Sequence, residues 1–284
     1  MSRLFVLLVA TIWIACGCAW AQGEEGRLKR IGETGTVKLA YRSDANPFSF
    51  VNANGQPDGY SVDLCKFVVQ SLEQQLNARI AITWVPVDTQ NRIETVASGA
   101  ADMECGSTTV SFARMTKVDF SSFIFMENTG LVVRTSSKIF SVGDLGGKTI
   151  AVIAGTTNEA ALAKELQRRQ LQTSLVRVKD RREGMAGLES GAFDGFASDK
   201  LLLIGALTAD ASAYKMLPEN LSYEPYAIVL PRGDWAFRLA VNKGLSQLYS
   251  SPQILEIYLK WFAAIGERPD LLRAAVYVFG TFPD

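Results

Sequence analysis

Nine polar side chains in this sequence stand where a small charged molecule could be held: Arg42, Thr89, Arg92, Ser107, Thr109, Arg114, Thr157, Arg181 and Asp199. Arginine presents a planar fork of N–H donors that grips a carboxylate, often through two parallel hydrogen bonds. Neighbouring hydroxyls complete such a grip, and an aspartate supplies the acceptor that an ammonium needs. A free amino acid carries both groups. Arg114 suits its α-carboxylate and Asp199 its ammonium. Arg42, Arg92 and Arg181 are then surplus cations, which a second carboxylate on the guest would balance. With few acids among these positions, the charge favours a dicarboxylic amino acid over a neutral one.

Composition removes several other chemistries. Histidine is absent from the 284 residues. That excludes histidine general acids and bases, Ser-His-Asp triads and histidine-containing metal sites. The 29 basic and 29 acidic side chains cancel, so no polyanion-binding surface is expected and nucleic acid is not a partner.

The elements that must position these residues alternate. Strands are expected at Val37 to Tyr41, Ile80 to Val87 and Ala101 to Cys105. Helices are expected at Asp58 to Leu76 and Asn91 to Ser98. The pattern then repeats: strands at Thr149 to Ile153, Leu175 to Val178 and Gly195 to Ala197, with helices at Asn158 to Gln170 and Glu183 to Glu189. This order predicts mainly parallel sheets covered by helices, whose ligands lie beyond the carboxyl ends of the strands. All nine residues fall at or just past such ends.

The repetition is visible in the letters. Ser98-Gly99-Ala100-Ala101-Asp102 is echoed by Ser190-Gly191-Ala192-Phe193-Asp194, and Gly106-Ser107-Thr108-Thr109 by Gly155-Thr156-Thr157-Asn158. Two similar α/β lobes are expected. Helical segments at Trp235 to Tyr249 and Pro252 to Ala264 would pack back on the first lobe. The chain then crosses between lobes twice, near Phe125–Thr129 and Ser222–Tyr226, which makes a hinge.

The N-terminus reads as a secretory signal peptide. Arg3 is its positive region, Leu4 to Ala15 its apolar run, and Ala19-Trp20-Ala21 its cleavage site. The apolar run is shorter than the roughly 20 residues that span a bilayer. Cleavage removes Cys16 and Cys18. Cys65 and Cys105 remain, and we read them as two buried thiols, with a disulfide as the alternative.

Single positions have plainer readings. Thr156 with Glu159 fits a helix capping box, and Asp199 suits the cap of a helix starting near Lys200. A lone arginine is usually solvated. The case rests on convergence at strand ends.

Several ordered motifs resemble the polar amino-acid solute-binding proteins of ABC importers. They are Asn46-Pro47-Phe48-Ser49-Phe50, Gly59-Tyr60-Ser61-Val62-Asp63-Leu64, and Glu104-Cys105-Gly106-Ser107-Thr108-Thr109 with Arg114 and Val118-Asp119-Phe120-Ser121. Gly155-Thr156-Thr157 and Leu188-Glu189-Ser190-Gly191 complete the set. Thr89-Gln90-Asn91-Arg92, with Arg42 on the first strand, is most similar to glutamate/aspartate-binding members.

The resemblance implies a type II periplasmic binding fold, with two α/β lobes joined by a two-strand hinge. Residues 1–21 would be the signal peptide, 22–126 with 228–284 one lobe, and 127–227 the other. It also implies roles. Ser107, Thr109 and Arg114 would hold the α-carboxylate, with Thr157 closing from the second lobe. Asp199 would take the ammonium, and Arg42, Thr89 and Arg92 the side-chain carboxylate. Arg181 departs from the histidine that similar dicarboxylate binders can carry there. The implied protein is a periplasmic monomer that delivers an acidic amino acid to an inner-membrane ABC permease, without cofactor or metal. A cyclohexadienyl dehydratase on the same fold is the enzymatic alternative, and a receptor's ligand-sensing module a further one.

Overall fold

The computed structural model describes residues 26–207 and 211–283; the signal-peptide reading, with Cys16 and Cys18, lies outside them. The chain opens with α1 (Arg27–Thr34), β1 (Thr36–Arg42) and a small sheet of β2 (Asp44–Ala45), β3 (Ser49–Val51) and β4 (Pro57–Asp58). Next come α2 (Tyr60–Leu76), β5 (Ala81–Val87), α3 (Arg92–Ala97), β6 (Met103–Glu104), α4 (Phe112–Met115) and the long β7 (Val118–Arg134). The second half contributes β8 (Thr149–Ile153), α5 (Thr157–Arg168), β9 (Ser174–Val178), α6 (Arg181–Ser190), β10 (Gly195–Asp199), α7 (Lys200–Ala206) and β11 (Tyr214–Met216). The chain then returns through β12 (Ser222–Pro231) to α8 (Trp235–Tyr249), α9 (Gln253–Phe262) and α10 (Leu271–Phe279).

The main sheet runs β5-β1-β6-β12-β7-β10-β8-β9, with β11 also on β7. Two parallel clusters sit at its ends: β1 pairs with β5 and β6, and β8 with β9 and β10. Between them lie two long antiparallel strands. β12 pairs with β7 from Ser222↔Thr129 to Pro231↔Val118, with irregular register around Ala227. An extra residue in a ladder bends the strand that carries it, so the pair is kinked where it passes between the halves.

Each half has its own apolar centre. In the first, Phe48, Tyr60, Phe125, Tyr258 and Phe262 are buried beneath α2, α8 and α9. In the second, Ile150, Val152, Leu162 and Ala197 pack with Leu131 and Val133 of β7. β10 is buried along its whole length, as a strand covered on both faces must be.

The letter repeat has a physical basis. Asp102 donates its N–H to the Lys38 carbonyl (2.8 Å), and its carboxylate accepts the Lys38 N–H (2.8 Å). Asp194 does the same to Thr149, at 2.7 and 2.8 Å. In both halves the aspartate therefore clamps its segment to a neighbouring parallel strand. Gly99 and Gly191 precede them in the left-handed region, at φ 79° and 81°, where a side chain would be strained.

Cys65 and Cys105 are joined in a disulfide, with Cα atoms 6.2 Å apart. This overturns the reading as two thiols. Their burial is real, but α2 crosses the end of β6 closely enough for the sulfurs to meet. A cross-link spanning 40 residues removes denatured-state entropy worth roughly 4 kcal/mol. Such a bond is at home in an oxidising compartment.

Replacing Asp194 with alanine strands a backbone N–H and removes a charge-assisted acceptor. We expect urea unfolding to show a loss of about 1–3 kcal/mol. Asp102→Ala should lose more, because Asp102 also pairs with Arg27 and Arg30.

Candidate ligand-binding cleft

Strand ends and helix starts from both halves meet at one place. Arg42 is the last residue of β1; its N–H donates to Ser49 Oγ (3.0 Å), and its side chain is 1% exposed. Arg92 opens α3, is 4% exposed, and donates from Nη1 to the Ser107 carbonyl (3.2 Å). Arg114, in the single turn of α4, donates to the Thr109 carbonyl (2.6 Å). The stretch Gly106–Thr109 between them is buried. Gly106 leaves room for both charged side chains: a Cβ would come within 2.0 Å of Glu104 Oε1 and 3.0 Å of Arg42 Cγ, and the glutamate would have to shift.

The second half faces this cluster. Thr157 begins α5, and its hydroxyl lies 3.4 Å from that of Thr109. It also donates to Glu224 Oε2 (2.6 Å). Asp199 occupies the N-cap position of α7 yet makes no capping bond. Its carboxylate instead accepts from Asn158 Nδ2 (2.8 Å), which also reaches Thr129 Oγ1 (2.7 Å). The capping alternative thus fails for Asp199. It holds for Thr156, which accepts from the Glu159 N–H. Arg181 opens α6 and reaches back across to Asp44. Thr89 sits half-buried in the turn between β5 and α3. Two further contacts join the halves: Gln90 Nε2 donates to the Ala154 carbonyl (2.8 Å) and Asn46 Nδ2 to the Gly205 carbonyl (3.3 Å).

Few acids were expected among these positions, and the structure brings three further carboxylates to them. Asp44 accepts from Arg42 (2.5 Å) and Arg181 (3.3 Å). Glu104 is fully buried and accepts from Thr108 (2.7 Å). Glu224 is buried and takes the hydroxyls of Thr157 and Thr129. Asn158 was also missed. Asp44 lies two residues past Arg42 and Glu104 three residues before Ser107, so a wider window around each strand end would have included them. Glu224 stands at the start of β12, where no strand-end rule points.

What survives is a polarity. Burial pushes Arg92 down to about 9, helped by the Arg114, Arg42 and Arg181 charges and opposed by Glu104. Burial and then Arg42 lower Arg181 too. At the other end, burial and the nearby Glu224 raise Asp199 above the usual carboxylate range. The Nε–H groups of Arg42, Arg92 and Arg181 and the Ser107 hydroxyl are buried without a hydrogen-bond partner among the described residues. Each such orphan is costly. An anion at the arginine end and a cation at the Asp199 end would relieve both.

Residues 37–264 match the family model for bacterial extracellular solute-binding proteins, family 3. The chain belongs to this family. It is 36% identical over 246 residues to the L-glutamate/L-aspartate-binding protein of Pseudomonas aeruginosa, covering 84% of this chain and 80% of that one. A glutamate/aspartate import solute-binding protein of Salmonella typhimurium is 28% identical, over 92% and 89% of the two chains. An ancestral arginine-binding protein bound to glutamine superposes with a TM-score of 0.72 at 26% identity, over 80% of this chain and 98% of that one. The fold of this family 3 member is the type II periplasmic binding fold, and these relatives are named as binding proteins, not enzymes.

In this solute-binding protein Gly205 has no room for a side chain. A Cβ there would stand 2.2 Å from the Asn46 carbonyl oxygen, across the cleft. We expect Gly205→Ala to prop the halves apart and weaken ligand affinity at least tenfold in calorimetric titration. Thermal stability of the ligand-free protein should change little.

Glu127 lies on β7, opposite Glu224 in the ladder. Burial and the Asp199 charge push it up to about 8. The folded state therefore holds this proton more tightly than the unfolded chain, whose glutamate titrates near 4.5. Its contribution is most favourable below that value and declines as pH rises toward 8. Urea unfolding from pH 5 to 8 should show the wild type losing about a kcal/mol per pH unit relative to Glu127→Gln, with no further relative loss above pH 8.

Proposed function

We propose that this protein captures an acidic L-amino acid, glutamate or aspartate, in the periplasm and delivers it to an inner-membrane ABC import permease. The observation that carries the reading is Arg92, buried among three other guanidiniums with its Nε–H unpartnered. A second carboxylate is the group that such an end lacks. Arg42, Thr89 and Arg92 would receive it. Ser107, Thr109 and Arg114 would hold the α-carboxylate, with Thr157 joining from the other half. Asp199, oriented by Asn158, would take the ammonium. The glutamate and aspartate named in the relatives above support the same ligand. The glutamine in the ancestral arginine-binding protein makes the cleft's own polarity the deciding argument.

The lobes would be residues 22–126 with 228–284, and 127–227, with β7 and β12 as hinge. Closing them brings Thr157 and Asp199 onto a guest already seated on Arg114, so bound ligand favours the closed state. Removal of residues 1–21 would release a monomer into the periplasm.

Calorimetric titration with glutamate, aspartate, glutamine and asparagine tests this. Both acids should bind at least tenfold more tightly than both amides. Arg92→Met should weaken glutamate binding about a hundredfold and glutamine binding far less, whereas Asp199→Asn should abolish binding of all four. Equal affinity of the wild type for acid and amide would sink the assignment.

A further inference from the structure

We propose that Asp44 is an internal carboxylate that bridges the two lobes through Arg42 and Arg181, favouring closure and tempering the cleft's preference for acidic guests. Its two oxygens take separate partners. Oδ1 accepts from Arg42 Nη2 at 2.5 Å, within the first half. Oδ2 accepts from Arg181 Nη1 at 3.3 Å, across the cleft, and the same Nη1 reaches the Asp44 backbone oxygen at 3.3 Å. Arg181 is thus bound to backbone and side chain of one residue in the opposite lobe.

The energetics follow from burial. The Arg42 and Arg181 side chains are 1% and 7% exposed, and Asp44 is 30% exposed at the rim. Closing the lobes carries one buried guanidinium toward another, and that repulsion grows as water leaves. A carboxylate between them offsets it, so the closed arrangement does not need a guest to neutralise both arginines. Among the described residues the Arg181 side chain hydrogen-bonds only to Asp44, although the Asp199 charge in its own half also favours it. Although burial works against it, the charges of Arg42 and Arg181 hold Asp44 below the usual carboxylate range. Asp44 stays ionised at neutral pH.

The bridge has a second consequence, which rests on the ligand proposed above. Within the bridge, two guanidiniums and one carboxylate leave one net positive charge, beside Arg92, at the end where a guest's second carboxylate would lie. Removing the carboxylate leaves two. Asp44→Asn should therefore loosen ligand-free closure while sharpening the choice of acid over amide. An ordinary rim ion pair, worth little in water, predicts no change in either.

The test uses the mature protein with spin labels on Gln70→Cys and Gln167→Cys, both exposed and one in each lobe. Cys65 and Cys105 are already paired. Pulsed EPR without ligand should show the ratio of closed to open distances falling at least fivefold in Asp44→Asn. Arg181→Gln, which removes the repulsion together with the bridge, should give a smaller fall, and the double variant should recover part of the closed population lost in Asp44→Asn. Titration of Asp44→Asn should show the glutamate-to-glutamine affinity ratio rising about tenfold over the wild type. An unchanged distance distribution in both single variants overturns the bridge, whatever the ligand. An unchanged affinity ratio, in a protein whose wild type prefers glutamate, overturns the tempering role. A wild type that prefers another amino acid defeats only the ligand reading, and the distances still decide the bridge.

Discussion

Guanidiniums buried side by side repel one another, and water, which normally screens them, is excluded here. Arg42, Arg92 and Arg181 are each nearly inaccessible, so the surrounding structure must compensate. It does so unevenly. Asp44 serves Arg42 and Arg181, while Glu104 stands near Arg92 and Arg114. Donors are left over at the arginine end, and acceptors crowd the Asp199 end. The cleft is polarised and incompletely satisfied, the condition that the proposed guest, a zwitterion with an additional carboxylate, would correct. The same arrangement would be a fault in a protein whose only task was to fold.

The charges come from both halves, so the proposed hinge would couple that incompleteness to closure. Arg42, Arg92 and Arg114 belong to elements before β7, whereas Thr157, Arg181 and Asp199 belong to elements between β7 and β12. The two long strands pass between these groups with an irregular register around Ala227. A ladder of continuous hydrogen bonds resists sliding, and a bulge allows bending. Gly205 and Gly106 let backbone and charged groups approach where a methyl group would collide.

Much of this was legible from letters. Strand and helix alternation, the helix at Trp235–Tyr249 and the strand at Thr149–Ile153 follow from apolar periodicity. The paired Asp102 and Asp194 announced two related halves, since equal spacing placed equal clamps. Short β2–β4, the uninterrupted β7 and the strap-like α10 were not foreseen. Two- and three-residue strands carry no measurable period, and a strand that serves two cores reads as two segments. The cysteines were misread because a disulfide depends on the distance between α2 and the end of β6, which no local pattern encodes.

The sequence by itself determined the kinds of group available: no histidine, a set of arginines and hydroxyls near strand ends, one well-placed aspartate, and a repeated supersecondary unit. These depend on residue type and local period, which are properties of short windows. Tertiary structure alone decided which charges neutralise which. Asp44 and Arg181 stand 137 residues apart along the chain, and Thr157 and Glu224 are separated by 67. Coulomb energy depends on distance through space and on how much water remains between the charges. Neither quantity exists until both halves have folded and met.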